Sequence, residues 1–128
     1  MCHLSCMRRF SRFFIGRARS FGCAFRGLVL LLATQRNARI HAVATVAVII
    51  LGVATGLSRV EWCVIIFACA GVWCAEALNT AVEFLGDAVT REQHPLIGKA
   101  KDVAAGAVLV AAIAAVIAGG FVFGAHLW

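Results

Sequence analysis

The chain has 128 residues, of which 62% are hydrophobic and 14% charged, and its formal net charge is +6. A soluble domain of this size is about half apolar, whereas here the apolar residues lie in long runs and only one proline interrupts them. This composition excludes a soluble globular domain and predicts an all-α integral membrane protein, since lipid requires every backbone group to be satisfied internally. The length allows about three spans.

The N-terminal third of the chain carries most of the positive charge. No nucleic-acid motif or aromatic platform accompanies these arginines, so we expect a cytoplasmic segment facing anionic lipid and no nucleic-acid partner. The arginines are Arg8, Arg9, Arg12, Arg17, Arg19, Arg26, Arg36 and Arg39. The six cysteines form no CxxC pair, which favours reduced thiols over disulfides or zinc.

Two N-terminal segments precede the spans. Residues 1–7 are predicted to be mobile. Residues 8–34 mix arginine with phenylalanine at rough helical spacing, which predicts an amphipathic helix at the membrane surface. A cleaved signal peptide is the alternative interpretation, but the apolar core from Leu28 to Ala33 is short and more arginine follows it.

Three apolar runs predict three membrane spans, at about 40–57, 60–89 and 99–123. The polar segment QRNAR precedes the first, and Ser58 and Arg59 form a tight turn before the second. A loop over Thr90–Gly98 contains the single proline. The second span is about 45 Å long as a helix, more than the roughly 30 Å hydrocarbon core, so its C-terminal half emerges at the headgroups.

Charge then predicts the topology. The N-terminal arginines and the basic loop before the third span share the cytoplasmic side, which places the N-terminus inside and the C-terminus outside. Trp62 and Trp128 then fit an aromatic anchor in the outer leaflet. Trp73 lies in mid-span and is interpreted as packing, and no role is assigned to His3, His41 or His126.

One face of the second span carries four polar residues, Glu76, Asn79, Glu83 and Asp87, spaced by three, four and four. Placing carboxyl groups at the end of a membrane helix costs free energy, so such groups usually have a binding partner or a function. A purely structural polar seam between helices is the plain alternative. A cation with the phosphates it carries is the partner that we favour.

Phosphoryl transfer requires cation ligands, a clamp on the phosphates and a base for the attacking hydroxyl. Glu83, with Glu76 or Asp87, could hold Mg²⁺, and Lys101 could clamp a phosphate. Glu76 is the carboxyl group predicted to lie deepest in the membrane, and this position suits the role of general base for a lipid alcohol. No P-loop or kinase glycine loop is present, so any nucleotide site is of an unrelated kind.

The motif EALNTAVEFLGDAV, followed by HPLIGKAKDVAAGAVL, resembles the signature of the small bacterial integral-membrane diacylglycerol kinases. The segments RNARIH and KDVAAGAVLVAA are similar to the undecaprenol kinase branch of that family. The resemblance covers about residues 20–120. It implies a homotrimer of three-span subunits in the bacterial inner membrane, with active sites shared between neighbours and ATP, Mg²⁺ and a membrane alcohol (undecaprenol or diacylglycerol) as partners.

The resemblance also assigns roles by motif position. Glu76 matches the catalytic base, Asn79 its polar partner near the γ-phosphate, and Glu83 a metal ligand. The residues matched to the nucleotide and its phosphates are Asp87, Glu92, Gln93, His94, Lys101 and Asp102. A surface role is equally open for His94. Arg26 and Arg39 could contact phosphates, although lipid headgroups are the favoured partners.

One position departs from the family pattern. The family often has Glu as a second metal ligand where this chain has Gln35, whose amide oxygen can ligate Mg²⁺ but brings no charge. Two other functions stay open: a catalytically silent membrane scaffold, supported by Gln35 alone, and a small proton-coupled transporter, which the clustering of the carboxyls toward one helix end disfavours.

Overall fold

The computed structural model describes residues 19–90, 92 and 94–126 of the chain. Within them lie four helices: α1 over residues 19–34, α2 over Arg36–Thr55, α3 over Arg59–Val89 and α4 over Pro95–Gly124. This part of the chain contains no strand. The predicted mobile segment 1–7 and residues 8–18 of the predicted surface helix lie outside the described residues.

The chain divides into two compact units between Thr34 and Gln35. Helix α1 belongs to the first unit and is helical as expected, while its placement at the membrane surface stays a prediction. Helices α2, α3 and α4 form the second unit, which contains the polar face of α3.

Helices α2, α3 and α4 are each long and apolar enough to cross a membrane. Large side chains on them are widely exposed, such as Phe67 at 78% and Phe121 at 79%. Such surfaces suit lipid or neighbouring helices as surroundings. The prediction of an all-helical, multi-pass membrane protein is therefore confirmed for the described part of the chain.

The first span differs from the prediction at both ends, since α2 begins at Arg36 instead of residue 40 and ends at Thr55 instead of residue 57. The basic residues of RNAR are compatible with a helix, so the polar break is confined to Gln35. The end is set by Gly56, whose φ of 69° places it in the left-handed region. Glycine adopts this conformation without steric cost and so commonly ends helices.

A capping box starts α3. The Ser58 hydroxyl accepts a hydrogen bond from the Glu61 amide at 3.4 Å, and the Glu61 carboxylate accepts one from the Ser58 amide at 2.8 Å. The two bonds satisfy backbone donors that a helix start leaves free. The predicted start of the second span near residue 60 agrees with this boundary.

Helix α4 begins at Pro95, before the predicted residue 99. Proline is favoured in the first helical turn, where its missing N–H is not needed. The preceding residue, His94, caps the helix, and its Nδ1 accepts a hydrogen bond from the Leu96 amide at 3.3 Å. The predicted loop over Thr90–Gly98 is therefore shorter than expected.

Polar contacts at both ends show that α3 and α4 run antiparallel. At one end, Lys101 Nζ lies 2.6 Å from Asp87 Oδ1, and at the other His126 Nε2 lies 3.0 Å from Glu61 Oε1. Gly86 permits the close approach at the first end. A Cβ there would lie 2.8 Å from Cγ2 of Ile97 and 2.9 Å from Cε of Lys101.

Among the described residues, two side-chain contacts through hydrogen bonds link α2 and its N-cap to α3, one within the span and one at its start. Trp73 Nε1 donates to the Thr45 hydroxyl at 3.1 Å, so the indole has a hydrogen-bonding partner besides its predicted packing. The second contact joins Gln35 to Glu83 and belongs to the polar face of α3.

Candidate active site

Glu76 is the most enclosed carboxyl group on α3, with only 1% of its surface exposed. Its Oε2 has no hydrogen-bond partner among the described residues. A buried polar group is normally paired, because an unpaired one loses its hydration without compensation. The unpaired oxygen therefore marks a place where a ligand with a donor group could bind.

One turn further along α3, Asn79 lies on the same face and is hydrogen-bonded to Glu83. Its Nδ2 donates to Glu83 Oε1 at 3.0 Å, while its Oδ1 is buried without a partner in the described part of the chain. The other oxygen of Glu83 accepts a hydrogen bond from Gln35 Nε2, also at 3.0 Å. Gln35 and Glu83, both predicted metal ligands, are thus brought into direct contact.

Glu76 and Asn79 line a cavity of about 260 Å³ between α2, α3 and α4. Asn37 and His41 of α2 contribute the other polar side chains, and the remaining lining residues are apolar: Ile40, Ala105, Val108, Leu109 and Ala112. We call this space the Glu76 cavity. It offers a few polar groups within a largely hydrocarbon wall, which is typical of a site for a small polar headgroup.

A second cavity, of about 440 Å³, lies at the α3–α4 connection. It gathers predicted nucleotide-binding residues, namely Asp87, Glu92, His94 and Lys101. The side chains of Lys101 and Asp87 are 35% and 67% exposed. An ion pair this exposed contributes little stability, so Lys101 can exchange its partner for another anion at small cost.

Other predicted site residues lie elsewhere. Asp102 is exposed and lines neither cavity. The Arg39 guanidinium donates to the Gln35 carbonyl at 3.4 Å. Arg26 makes only contacts within α1 among those described, to the Gly22 carbonyl and the Cys23 sulfur. Gln93 lies outside the described residues.

Comparison with known proteins identifies the family. The family model for prokaryotic diacylglycerol kinase matches residues 22–123, most of the chain. The chain belongs to the prokaryotic diacylglycerol kinase family. The resemblance seen in the sequence is thereby confirmed, and the protein is an enzyme of the lipid kinase type.

The relatives of this kinase include proteins named undecaprenol kinase and proteins named diacylglycerol kinase. It is 42% identical to the undecaprenol kinase of Bacillus subtilis (strain 168), over 88% of this chain and 89% of that protein. It is 46% identical to a diacylglycerol kinase of a Synechocystis species over 79% of this chain, but spans only 58% of that protein. It is 30% identical to the diacylglycerol kinase of Escherichia coli (strain K12), over 75% of this chain and 79% of that protein.

The described residues of this kinase include no group of three His, Cys, Asp or Glu side chains that could hold a metal. The two carboxylate oxygens of Glu83 accept hydrogen bonds from Gln35 and Asn79, and the expected pairing of Glu83 with Glu76 or Asp87 stays a prediction. Glu83 and Gln35 nevertheless fit a cation that brings phosphate ligands with it. Rotation of the Gln35 amide exchanges its N–H₂ for its oxygen, and carboxylate and amide oxygens are suitable Mg²⁺ ligands.

The structure adds residues that sequence reasoning missed. Gly86 gives no chemical signal, and its role becomes visible only from the side chains packed on it. Thr80 is 4% exposed with an unpaired hydroxyl, but the motif letters alone did not suggest a role. Asn37 and His41 lie on a different helix from the carboxylates, although their spacing of four could have indicated a shared polar face.

Proposed function

We propose that this kinase transfers the γ-phosphate of MgATP to the hydroxyl group of a membrane alcohol, undecaprenol or diacylglycerol, giving a lipid phosphate and ADP. The observation that carries the proposal is the buried Glu76 carboxylate, which has an unpaired oxygen and belongs to a residue lining a cavity between the three spans. The hydrogen bond from Asn79, three residues further along the same helix face, to Glu83 supports a common role for the polar face of α3.

In the proposed reaction, the alcohol hydroxyl in the Glu76 cavity gives its proton to Glu76 while its oxygen bonds to the γ-phosphorus. The bond from that phosphorus to the bridging oxygen breaks, and ADP leaves with the electron pair. Enclosure of Glu76 supports this role, because a general base must lie within hydrogen-bond reach of the proton and away from competing water. Asn79 orients the phosphoryl group through its amide.

Lys101 is proposed to neutralise the phosphates of the nucleotide. Its present partner, Asp87, lies on the rim of the larger cavity with Glu92 and His94. Phosphate oxygens would compete with the Asp87 carboxylate for the ammonium group, and Lys is a common phosphate ligand. The Nδ1 of His94 accepts the Leu96 amide, which leaves its Nε2 as the nitrogen for a nucleotide contact.

Glu83 and Gln35 are proposed to hold the Mg²⁺ ion together with the nucleotide. Bound there, the ion would neutralise charge on the transferring phosphoryl group. Asn79 then loses one partner and can direct its amide to a phosphate oxygen. Because only one carboxylate lies at this position, the nucleotide must supply much of the charge that binds the metal.

The arrangement in the membrane is also part of the proposal. We infer a homotrimer in the bacterial inner membrane, with the N-terminus and active site cytoplasmic and the C-terminus outside. The position of Gln35, Asp87 and Lys101 at one end of the helices supports a shared cytoplasmic face. Undecaprenol is the favoured acceptor, because the B. subtilis undecaprenol kinase aligns over 89% of its length.

The test is a phosphorylation assay with purified protein in detergent micelles. MgATP labelled at the γ-phosphate is supplied with undecaprenol, with diacylglycerol, or with both in competition, and the ratio of kcat/KM identifies the preferred acceptor. Label transfer to either lipid is expected, with loss of transfer when Mg²⁺ is chelated. A folded protein that labels neither lipid would contradict the proposal and favour the scaffold alternative.

A further inference from the structure

We infer that Asn37 and His41 of α2 bind the hydroxyl oxygen of the acceptor alcohol, and that the apolar cavity beyond His41 favours alcohols at the end of a plain hydrocarbon chain. The inference rests on the proposed function. Both residues lie outside the motif on α3 and line the Glu76 cavity.

The α3 side of this cavity provides acceptors. Glu76 Oε2 and Asn79 Oδ1 are both buried and without a partner in the described part of the chain. The Asn79 amide nitrogen already donates to Glu83 at 3.0 Å. A bound hydroxyl can therefore donate its proton to α3, but its oxygen needs a donor from another helix.

Helix α2 provides those donors. Asn37 and His41 are four residues apart, which places them on the same helix face, and both line the cavity. Their side chains make no hydrogen bond within the residues described. An amide N–H₂ and an imidazole N–H are thus available where the hydroxyl oxygen requires them.

The orientation of α2 is fixed one turn further into the membrane. Thr45 continues the same face, and its hydroxyl donates to the His41 carbonyl at 2.7 Å and accepts from Trp73 at 3.1 Å. The Trp73 contact ties this face of α2 to α3. Asn37, which is exposed, and His41, which is half-buried, thus lie on the face of α2 that the Trp73 contact turns toward α3.

The chemistry beyond His41 indicates the class of alcohol. His41 and Ala112 also line an adjacent, mostly apolar cavity of about 390 Å³ that extends to Phe123. His41 and Thr45 carry its only N–H or O–H side-chain donors, and the Thr45 hydroxyl is already bonded. A hydrocarbon chain fits this apolar cavity. The ester carbonyls of a diacylglycerol would instead lose their hydration there without gaining hydrogen-bond donors. A prenyl alcohol is the better fit.

The test compares steady-state kinetics of wild type with His41→Leu and His41→Gln in micelles, using undecaprenol and MgATP. His126→Leu is the matched control, since it makes the same substitution at the opposite end of the helices. For His41→Leu we expect the KM for undecaprenol to rise about tenfold, as a lost hydrogen bond predicts, with the KM for ATP unchanged. His41→Gln retains a donor and should recover most of the affinity.

An unchanged KM for undecaprenol in an active, folded His41→Leu would overturn the inference while leaving the proposed function intact. An equal rise in His126→Leu, or a parallel rise in the KM for ATP, would overturn it as well. Wild-type protein that phosphorylates neither undecaprenol nor diacylglycerol would overturn both. If His41→Leu does not fold, Asn37→Leu serves the same comparison with the same expected rise.

Discussion

Gln35 donates its side-chain amide to the Glu83 carboxylate at 3.0 Å, across 48 residues of sequence. The contact joins the first residue before α2 to the polar face of α3. It also explains why Gln35, although it is the N-cap of α2, makes no capping bond with its side chain. A neutral amide at this position stabilises a lone carboxylate when no cation is present, which a second carboxylate could not do.

Replacing Gln35 by Glu should make the stability of the protein depend on divalent cations. Two carboxylates at hydrogen-bonding distance repel each other, so the Tm of Gln35→Glu should fall below wild type when Mg²⁺ is chelated. Excess Mg²⁺ should raise it, because a ligand that binds only the folded state stabilises that state. Thermal unfolding in detergent measures both values.

Gln35→Leu is the control for this prediction. It removes the hydrogen bond without adding charge, so its Tm should fall slightly and should not respond to Mg²⁺. A Gln35→Glu protein whose Tm is the same with and without Mg²⁺ would argue against a metal at Glu83.

Replacing Glu76 by Gln should abolish lipid phosphorylation with little effect on folding. The amide has nearly the same volume as the carboxyl group but cannot accept the proton. General bases contribute about 10²–10⁴-fold to rates, so turnover should fall to about one per cent or less of wild type. Initial-rate assays measure the turnover, on variant protein whose gel-filtration elution volume matches that of wild type and so shows an intact fold. Turnover above about one per cent of wild type would show that Glu76 is not the base.

Replacing Gly86 by Ala should weaken the packing of α3 on α4 and should raise the KM for ATP. The new Cβ would lie within 2.9 Å of Ile97 and Lys101 side-chain atoms, and such overpacking costs about 1–3 kcal/mol. Displacement of Lys101 should also raise the KM for ATP. Gly71→Ala is the control, because a Cβ there meets nothing within 4 Å, and alanine favours the helix.

At the opposite end of the helices, Glu61 combines two roles. Its carboxylate accepts the Ser58 amide as part of the capping box, and its other oxygen contacts His126. Ser58→Ala should cost about 1 kcal/mol of unfolding free energy through loss of the cap. Glu61→Ala should lower the Tm more than either Ser58→Ala or His126→Ala, since it removes both contacts. If Glu61→Ala lowers the Tm only as much as Ser58→Ala, and His126→Ala does not lower it, the His126 contact contributes nothing.

Sequence alone predicted the class of fold and the polar face of α3, because apolar runs of membrane length and a spacing of three and four leave few alternatives. It placed helix ends less well. Capping by His94 and the left-handed Gly56 depend on local geometry that composition does not reveal. The resemblance assigned Gln35 and Glu83 to one metal, but the sequence specifies neither the hydrogen bond between them nor the cavity that Asn37 and His41 share with Glu76.

From the lengths of α2 and α3 we expect the activity of this enzyme to depend on the thickness of its bilayer. The 20 residues of α2 span about 30 Å, close to one hydrocarbon core. Because Gln35 at the start of α2 is bonded to Glu83, we expect α3 beyond Phe84 to project past that core and Glu76 to lie beneath its surface. In a thinner membrane, tilting of the helices or snorkelling of their flanking side chains would shift Glu76 relative to the acceptor hydroxyl. The catalytic rate should consequently pass through a maximum as the acyl chains of the host lipid are lengthened.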